Sequence, residues 1–368
     1  MKPIFILLVI LAISGLFYIN SNKPSVTTNP NPQPIQASPT PTPQTTEEFT
    51  VIAKNLDTPW GIVFLPDKSI LVTERFGRVS LIDSSGNLTP IATLTQVKEI
   101  GEGGLLGITL DPDFSSNYFV YLYYTYQANG DNTLNRVVKM IYKDQKLSDE
   151  QTIVDKIPGA SNHNGGRLKF GPDKLLYITT GDASEPSLAQ DKNSLAGKIL
   201  RVNAEGKVEV YSYGHRNPQG IAWDSSGKLW ETEHGRSGAL SGLDEINLIQ
   251  QGKNYGWSII QGDETKPGME KPVKNSGSTT WAPAGAAFVG NSFFFGGLRG
   301  QTLYEAIIQD NQVTDLKEHF KNQFGRVRDI VIGPDGMLYI TTSNKDGRGS
   351  PASDDDKIIK INLVRKFS

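Results

Sequence analysis

The sequence has no cysteine, and other features that often identify a protein class are also scarce. Without cysteine the chain has no disulfides, no catalytic thiolate, no Cys-ligated zinc and no lipidated cysteine anchor. Net charge is nearly absent, with 37 Lys and Arg against 39 Asp and Glu. Nucleic-acid binding needs a concentrated basic face, so this balance gives no reason to expect such a partner. Histidine is also rare, at four residues.

The N-terminal part of the chain lacks the composition of a folded domain. Lys2 precedes an apolar run over residues 4–19, which is long for a signal peptide and short for a membrane span. We expect residues 1–20 to be a signal peptide or an N-terminal membrane anchor, with cleavage and retention both open. Residues 21–48 are rich in Pro, Thr and Ser and predict a disordered linker. Together they predict an exported protein, periplasmic or extracellular, tethered to the membrane if the first segment is retained.

One hairpin pattern recurs six times in the remainder of the chain. Each copy has a short apolar strand, a turn containing Pro-Asp or Gly, and a second strand in which Leu, Tyr and Thr alternate. The copies are spaced about 45 to 65 residues apart, which is close to the repeat length of a propeller blade. They cover residues 61–74, 107–124, 166–180, 220–233, 285–296 and 328–342.

Residues 49–368 are therefore predicted to be all-β, forming a six-bladed β-propeller of four-stranded antiparallel blades. No long helical period is present, which argues against α/β and solenoid folds. A two-sheet sandwich is the main competitor, but it does not explain why a single hairpin recurs six times. Residues 79–82 and 358–362 have the pattern of outer strands.

The propeller prediction places the polar loops at one mouth of the central channel. If the first strand of each hairpin is innermost, the loops before it and after the second strand share that mouth, and the Pro-Asp turns lie opposite. Planar guanidinium groups pair well with carboxylates and phosphates, so several together predict a polyanionic small-molecule ligand. Five arginines occur in these loops: Arg216, Arg236, Arg299, Arg326 and Arg328.

Histidines and carboxylates complete the set of candidate site residues. His163 is the best candidate for a general base, because imidazole titrates near neutral pH. His215 is expected to brace its loop, His234 to line the cleft or bind metal, and His319 to lie on the surface. Asp244-Glu245, followed by residues 254–257, offers oxygen ligands of the kind that Ca²⁺ prefers. The acidic run at residues 354–356 is expected to be a solvated loop.

Several segments, taken together and in this order, resemble the soluble quinoprotein sugar dehydrogenases of the glucose/sorbosone dehydrogenase family, which use pyrroloquinoline quinone (PQQ). The resemblance covers about residues 50–362, and it also implies a six-bladed propeller. The segments that carry it are Gly-Gly-Leu-Leu-Gly-Ile-Thr-Leu-Asp-Pro-Asp-Phe at 103–114, Asn-His-Asn-Gly-Gly-Arg-Leu at 162–168, Leu-Ala-Gly-Lys-Ile-Leu-Arg-Val-Asn at 195–203, Tyr-Gly-His-Arg-Asn-Pro-Gln-Gly at 213–220, Asp-Glu-Ile-Asn-Leu-Ile at 244–249 and Asn-Tyr-Gly-Trp at 254–257.

The resemblance implies a role for each matching position. His163 would take the proton from the anomeric hydroxyl of the sugar while hydride passes to the quinone. The carbonyls of Gly235 and Arg236 would hold the catalytic Ca²⁺, and Glu245 with the carbonyl of Tyr255 would hold a second, structural Ca²⁺. The implied cofactor contacts are Glu102, Arg216, Asn217, Thr280, Arg299, Arg326 and Arg328.

The chain departs from the family pattern at a few of these positions. Lys is frequent in the family at the position of Arg299, and Pro at that of Arg236. Glu102 stands where Gln is usual, and a carboxylate there would repel an anionic quinone unless it were protonated or paired with Arg. Asn162 stands where the glucose enzyme has Asp, so we expect His163 to lack an ionic partner.

The leading hypothesis is a PQQ- and Ca²⁺-dependent dehydrogenase that oxidises aldose sugars at C1 to lactones and passes electrons to an external acceptor. Two alternatives remain open. One is a non-enzymatic propeller that binds a protein or carbohydrate partner. The other is a Ca²⁺-dependent lactonase-type propeller. The sequence leaves monomer and homodimer both open, and it does not specify the preferred sugar.

Overall fold

The six predicted hairpins form the two inner strands of six four-stranded antiparallel sheets, which confirms the predicted propeller. The computed structural model describes residues 48–203, 205–238 and 241–362. The first three blades are β2–β5 (Pro59–Phe64, Ile70–Glu74, Arg78–Ile82, Leu88–Thr93), β6–β9 (Leu105–Leu110, Phe119–Gln127, Thr133–Lys143, Lys146–Gly159) and β10–β13 (Leu168–Phe170, Leu176–Thr180, Lys198–Val202, Val208–Tyr213). The next two are β14–β17 (Pro218–Trp223, Leu229–Glu233, Glu245–Ile249, Lys274–Asn275) and β18–β21 (Pro283–Val289, Ser292–Gly297, Thr302–Gln309, Gln312–His319).

The sixth blade closes the ring by combining strands from both ends of the domain. It contains β22 (Val327–Ile332), β23 (Leu338–Thr342), β24 (Ile358–Ile361) and, as its outermost strand, β1 (Phe49–Ala53). The closing pair is antiparallel and places Phe49 opposite Ile361. The segment at 358–362 was predicted as an outer strand, but only the structure shows that its partner comes from the start of the domain.

The glycine that begins the repeat is needed because the inner strands approach one another closely around the axis and leave no room for a side chain. A Cβ on Gly107 would overlap the carbonyl oxygen of Gly166 in the next blade, and one on Gly220 would overlap that of Ala284. The recurring threonine of the second strand reinforces this packing. Thr73 Oγ1 donates to the carbonyl of Leu106 at 2.6 Å, across the boundary between blades. The repeated glycine and threonine therefore determine how neighbouring blades pack, in addition to the hairpin within each blade.

The blades bury both of their faces, which explains why adjacent residues of one strand are both in a core. Tyr123 and Tyr124 lie next to each other on β7 and point to opposite faces, yet both are fully buried. Tyr124 packs in a cluster with Leu71 of the first blade, and Tyr123 packs with Ile178 of the third. Each blade is thus held between two apolar layers.

The acidic run near the C-terminus was wrongly expected to be a solvated loop. Asp355 and Asp356 are buried. Asp356 accepts hydrogen bonds from the backbone N–H groups of Thr58 at 3.2 Å and Lys345 at 3.3 Å. It therefore joins the first blade to the sixth. His319 was likewise expected at the surface, but its side chain is only 11% exposed and its ring pairs with the buried Glu305 at 2.7 Å.

Helix is minor in the described part of the chain. It comprises one α-helical turn, Phe114–Asn117, and one 3₁₀ turn, Pro186–Ala189. Neither of these has the length and apolar character that crossing a membrane requires. The predicted signal or anchor at residues 1–20, and all but the last residue of the linker predicted for 21–48, lie outside the described residues.

Candidate functional site

A cavity of about 650 Å³ opens at the mouth where the predicted loops meet. Its lining residues come from all six blades, and most of them lie before a first strand, at its start, or after a second strand, as expected. This confirms the predicted geometry of the cleft. The lining includes Trp60, Glu102, Asn162, His163, Gln219, Arg216, His234, Gly235, Arg236, Asp244, Thr280, Arg299, Arg326, Arg328 and Arg348.

All five predicted arginines reach this cavity, and Arg348 joins them. Two of the six are neutralised by protein carboxylates. Arg326 Nη2 lies 2.7 Å from Asp346 Oδ2, and Arg348 Nη1 lies 2.6 Å from Glu102 Oε1. The other four form no ion pair with a carboxylate of the described residues: Arg216, Arg236, Arg299 and Arg328.

Arg328 is the clearest example of an uncompensated cation. It is buried, its Nη1 donates to Gln219 Oε1 at 3.0 Å, and its Nε has no partner in the described structure. Burial lowers the pKa of Arg328 to about 9, so the group is still positive at neutral pH. An unpaired buried cation is costly. Arg328 is therefore suited to receive an anionic ligand.

Neutral groups orient the other uncompensated guanidinium groups. Arg216 Nη2 donates to Ser237 Oγ at 2.7 Å, and the Arg216 guanidinium lies 5.4 Å from the centre of the Trp257 ring. Burial lowers the pKa of Arg216. Arg299 Nη1 donates to Ser241 Oγ at 3.2 Å, and Nε of Arg236 is buried without a partner. Four such cations around one cavity fit a small molecule with several carboxylates.

His163 has an ionic partner, so the expectation that it lacks one was wrong. The Nδ1–H of His163 donates to Asp182 Oδ1 at 2.7 Å. Asp182 is fully buried, and its other oxygen accepts from Trp257 Nε1 at 2.8 Å. Among the described residues Nε2 of His163 has no partner, and the residue lines the cavity. The imidazole can therefore accept a proton there.

The residues next to His163 in the sequence do not reveal this pair, because Asp182 lies in a different loop. Asp182 follows β11, whereas His163 precedes β10, its antiparallel neighbour. The hairpin brings the two loops to the same end of the blade. The Gly-Asp pair after the second strand was the available signal, since the sequence already assigned that loop to the cleft.

Glu102 lies in the cavity wall but its carboxylate is already engaged. Oε2 accepts from the backbone N–H of His163 at 3.1 Å, and Oε1 accepts from Arg348. Burial opposes ionisation of Glu102, but the positive charges of His234 and Arg348 outweigh it and lower the pKa to about 2. Burial also lowers the pKa of His234 to about 3, so at neutral pH the compensating charge comes from Arg348.

Of the other predicted residues, two line the cavity and two are buried behind its wall. Thr280 lines the cavity, and its Oγ1 bonds to Ser241 Oγ at 3.1 Å. Asn217 is fully buried outside the lining, where its Oδ1 accepts from the N–H of Gly165 at 3.0 Å. His215 braces its loop as expected, through Glu233 at 2.9 Å. His234 lines the cavity and its Nε2–H donates to the carbonyl of Pro283 at 2.8 Å.

The four residues assigned to metal meet at a second, very small cavity. Gly235 and Arg236 separate it from the main cavity, and Glu245 and Tyr255 also line it. Its volume is about 10 Å³, close to the space that one small bound species occupies. Burial and the nearby Glu233 raise the pKa of Glu245 to about 8.

The donor set around Glu245 fits a hard divalent cation. Asn247 Nδ2 donates to Glu245 Oε2 at 3.2 Å and to Glu231 Oε2 at 3.0 Å. Glu231 Oε1 and Asn247 Oδ1 are buried acceptors with no donor in the described structure. Clustered carboxylate and carbonyl oxygens are the ligands that Ca²⁺ prefers. Glu231 was not singled out in the sequence, where an acidic residue within a strand carries no specific signal.

Comparison with known proteins places the chain among sugar dehydrogenases. The sequence model of the "Glucose / Sorbosone dehydrogenase" family matches residues 56–359. Aldose sugar dehydrogenase YliI of Escherichia coli is 31% identical over 82% of this chain and 91% of its own length. Quinoprotein glucose dehydrogenase B of Acinetobacter calcoaceticus is 32% identical over 58% of this chain and 52% of its own. The PQQ-bound aldose sugar dehydrogenase of Streptomyces coelicolor is 36% identical, with TM-score 0.79, over 85% of this chain and 96% of that one.

Proposed function

The chain belongs to the glucose/sorbosone dehydrogenase family, and from this we propose that it oxidises aldose sugars at C1 to lactones with PQQ and Ca²⁺. Electrons would then pass to an external acceptor. The observation that carries the proposal is the combination, in one cavity, of four uncompensated guanidinium groups and an imidazole with a free Nε2. A site that only bound a polyanion would have no use for that imidazole.

The chain's own residues supply the proton chemistry of this proposal. Nε2 of His163 accepts the proton of the anomeric hydroxyl, and Asp182 stabilises the positive charge that the imidazole acquires. Trp257 and the backbone N–H of Ser184, each 2.8 Å from an oxygen of Asp182, fix the carboxylate in turn. When bound, PQQ supplies the quinone that accepts hydride, and Ca²⁺ supplies Lewis-acid polarisation.

The residues that would hold these groups follow from the unpaired charges. Arg216, Arg299 and Arg328 would bind PQQ, with Arg326 and Thr280 as further contacts. Asn217 does not line the cavity, so it would support the PQQ site indirectly through the residues that form the cavity wall. The carbonyls of Gly235 and Arg236 would hold the catalytic Ca²⁺, and Glu245 with the carbonyl of Tyr255 a second one.

We also propose that the enzyme works outside the cytoplasmic membrane. The support is the sequence of residues 1–48, where an apolar segment precedes a Pro/Thr/Ser-rich stretch. Detection of the mature N-terminus by mass spectrometry of fractionated cells would test this and would distinguish cleavage from anchoring.

Titration of the purified protein with PQQ, followed by absorbance with and without Ca²⁺, tests the proposal most directly. Dye reduction with a panel of aldoses then tests turnover. We expect saturable PQQ binding that Ca²⁺ strengthens, and dye reduction that needs both. PQQ binding without turnover would favour a binding propeller, and PQQ-independent lactone hydrolysis a lactonase. Absence of both PQQ binding and sugar oxidation would overturn the proposal.

A further inference from the structure

The backbone of His163 adopts an unusual conformation that neighbouring loops hold in place. Its φ is +59°, in the left-handed region, which costs a non-glycine residue about 1–2 kcal/mol. Both backbone polar groups of His163 are bound across the loop boundary. The N–H donates to Glu102 Oε2 at 3.1 Å, and the carbonyl accepts from the N–H of Ala183 at 3.1 Å.

Glu102 forms hydrogen bonds at two points to the loop that contains His163, which we call the histidine loop. Besides accepting from His163, it donates its own backbone N–H to the carbonyl of Ser161 at 2.7 Å. The loops approach so closely that a Cβ on Gly101 would overlap that same carbonyl oxygen. One residue of the second blade therefore brackets the loop on both sides of Asn162, and little room is left for the loop to shift.

Arg348 of the sixth blade fixes Glu102 and the histidine loop at the same time. Its Nη1 donates to Glu102 Oε1 at 2.6 Å, and its Nη2 donates to Asn162 Oδ1 at 3.1 Å. Its own backbone N–H donates to Asp346 Oδ1 at 2.9 Å, and Asp346 is the partner of Arg326. Three blades are thereby joined at the rim of the cavity, next to the imidazole.

We propose that Glu102 and Arg348 are positioning residues for His163 and that Glu102 is not a cofactor ligand. Both carboxylate oxygens of Glu102 are occupied by protein donors. The ion pair also removes the repulsion that a free carboxylate would exert on an anionic cofactor. The inference rests on the proposed function for the role of His163 as a base, but the arrangement of the loop can be measured without turnover.

The kinetic test compares Arg348→Met, Glu102→Ala and Glu102→Gln with the wild type. Misplacement of a catalytic group by about 1 Å costs up to about a hundredfold. We expect Arg348→Met and Glu102→Ala to lower kcat about tenfold or more, with KM and the PQQ Kd changed less than about twofold. Glu102→Gln should lie nearer the wild type because its amide oxygen can still accept from the N–H of His163. Arg201→Met, which breaks an ion pair with Glu209 away from the cavity, is the matched control.

A parallel loss of PQQ affinity in Glu102→Gln would overturn the inference and make Glu102 a cofactor ligand. An unchanged kcat in Arg348→Met together with an unchanged His163 Nδ1–H resonance in that variant would overturn it too. NMR of the apoprotein with ¹⁵N-labelled histidine gives a second readout, with the His163 signal assigned by its loss in His163→Gln. We expect its hydrogen-bonded Nδ1–H resonance to persist in Glu102→Gln and to shift or broaden in Arg348→Met. If the NMR result holds while no variant affects turnover, the positioning is real and the proposed base role fails.

Discussion

The Nδ1 of His163 lies 2.7 Å from Oδ1 of Asp182, and this pair joins two loops that are separated by an entire hairpin. Asp182 is fully buried and held by Trp257 and Ser184, so the carboxylate is fixed before any ligand binds. A fixed carboxylate favours the tautomer that carries its proton on Nδ1, and this tautomer leaves Nε2 free to accept a proton. The pair thus gives His163 an ionic partner at a position where the adjacent residue, Asn162, offers no charge.

Replacing either member of this pair should reduce turnover and spare cofactor binding. We expect His163→Ala to lower kcat by about a hundredfold or more, as for loss of a general base. Asp182→Asn should lower kcat less, because the imidazole remains but its orientation and its charged form lose support. PQQ affinity, measured by absorbance titration, should change little in both. His319→Gln, outside the cavity, is the control, and equal activity of His163→Ala and this control would contradict the assignment.

Removing the buried charge of Arg328 should weaken cofactor binding without destabilising the protein. We expect Arg328→Met to raise the PQQ Kd by about 10- to 100-fold, as for loss of one charge-assisted contact. The Tm of the apoprotein should stay level or rise, because the methionine needs no hydrogen-bond partners in the place where Arg328 Nε has none. Calorimetry and titration on the same sample check both. A fall in Tm with unchanged Kd would show that Arg328 is structural.

Removal of divalent cations should destabilise the fourth blade. We expect a chelator to lower the Tm of the purified protein by several degrees, and Ca²⁺ in excess to restore it, because a ligand that binds only the folded state stabilises it. Glu245→Gln should abolish most of this response. Mg²⁺ at the same concentration is the control, since it binds oxygen clusters of this kind less readily. Identical Tm values in chelator and in Ca²⁺ would rule out a cation here.

The ion pair of Glu102 should make an acid-labile contribution to stability. The pKa of Glu102 is lowered from 4.5 to about 2, so the folded state favours the charged form. Its contribution is fully present above about pH 4.5 and is lost as pH falls towards 2. We expect a loss on the order of 1–2 kcal/mol relative to Glu102→Gln, because Arg348 is half exposed and water screens the pair. Denaturant unfolding of both proteins across this range measures it, and parallel pH curves would contradict it.

The close approach of the inner strands should make the leading glycines intolerant of substitution. We expect Gly107→Ala to cost more than about 3 kcal/mol of stability or to prevent folding, because its Cβ would overlap backbone in the next blade. Gly130→Ala, in an exposed loop with open space around it, should cost only about 1 kcal/mol. Urea unfolding compares the two, and equal losses would show that strand packing is not the cause.

The residues themselves determined the fold and the face on which the site lies. Six copies of one hairpin predict six blades, and the position of each loop relative to its strands predicts which arginines share a mouth. Arg216, Arg299 and Arg328 could be grouped on this basis, and the resemblance of nearby motifs to a family supplied the cofactor. These features are local or periodic, so they can be read along the chain.

Only the tertiary structure decided how the charges pair. Asp182 meets His163 because the inner hairpin of the third blade brings its two loops together, and Arg348 meets Glu102 and Asn162 because the closed ring brings loops of three blades within hydrogen-bond distance. The closure itself joins Phe49 to Ile361 at opposite ends of the domain. Hydrogen bonds depend on distances of a few tenths of an ångström, whereas the repeat specifies only which loops share a face. The sequence therefore determined where the chemistry occurs, and the tertiary structure determined which cations remain free for a ligand and which residue supports the base.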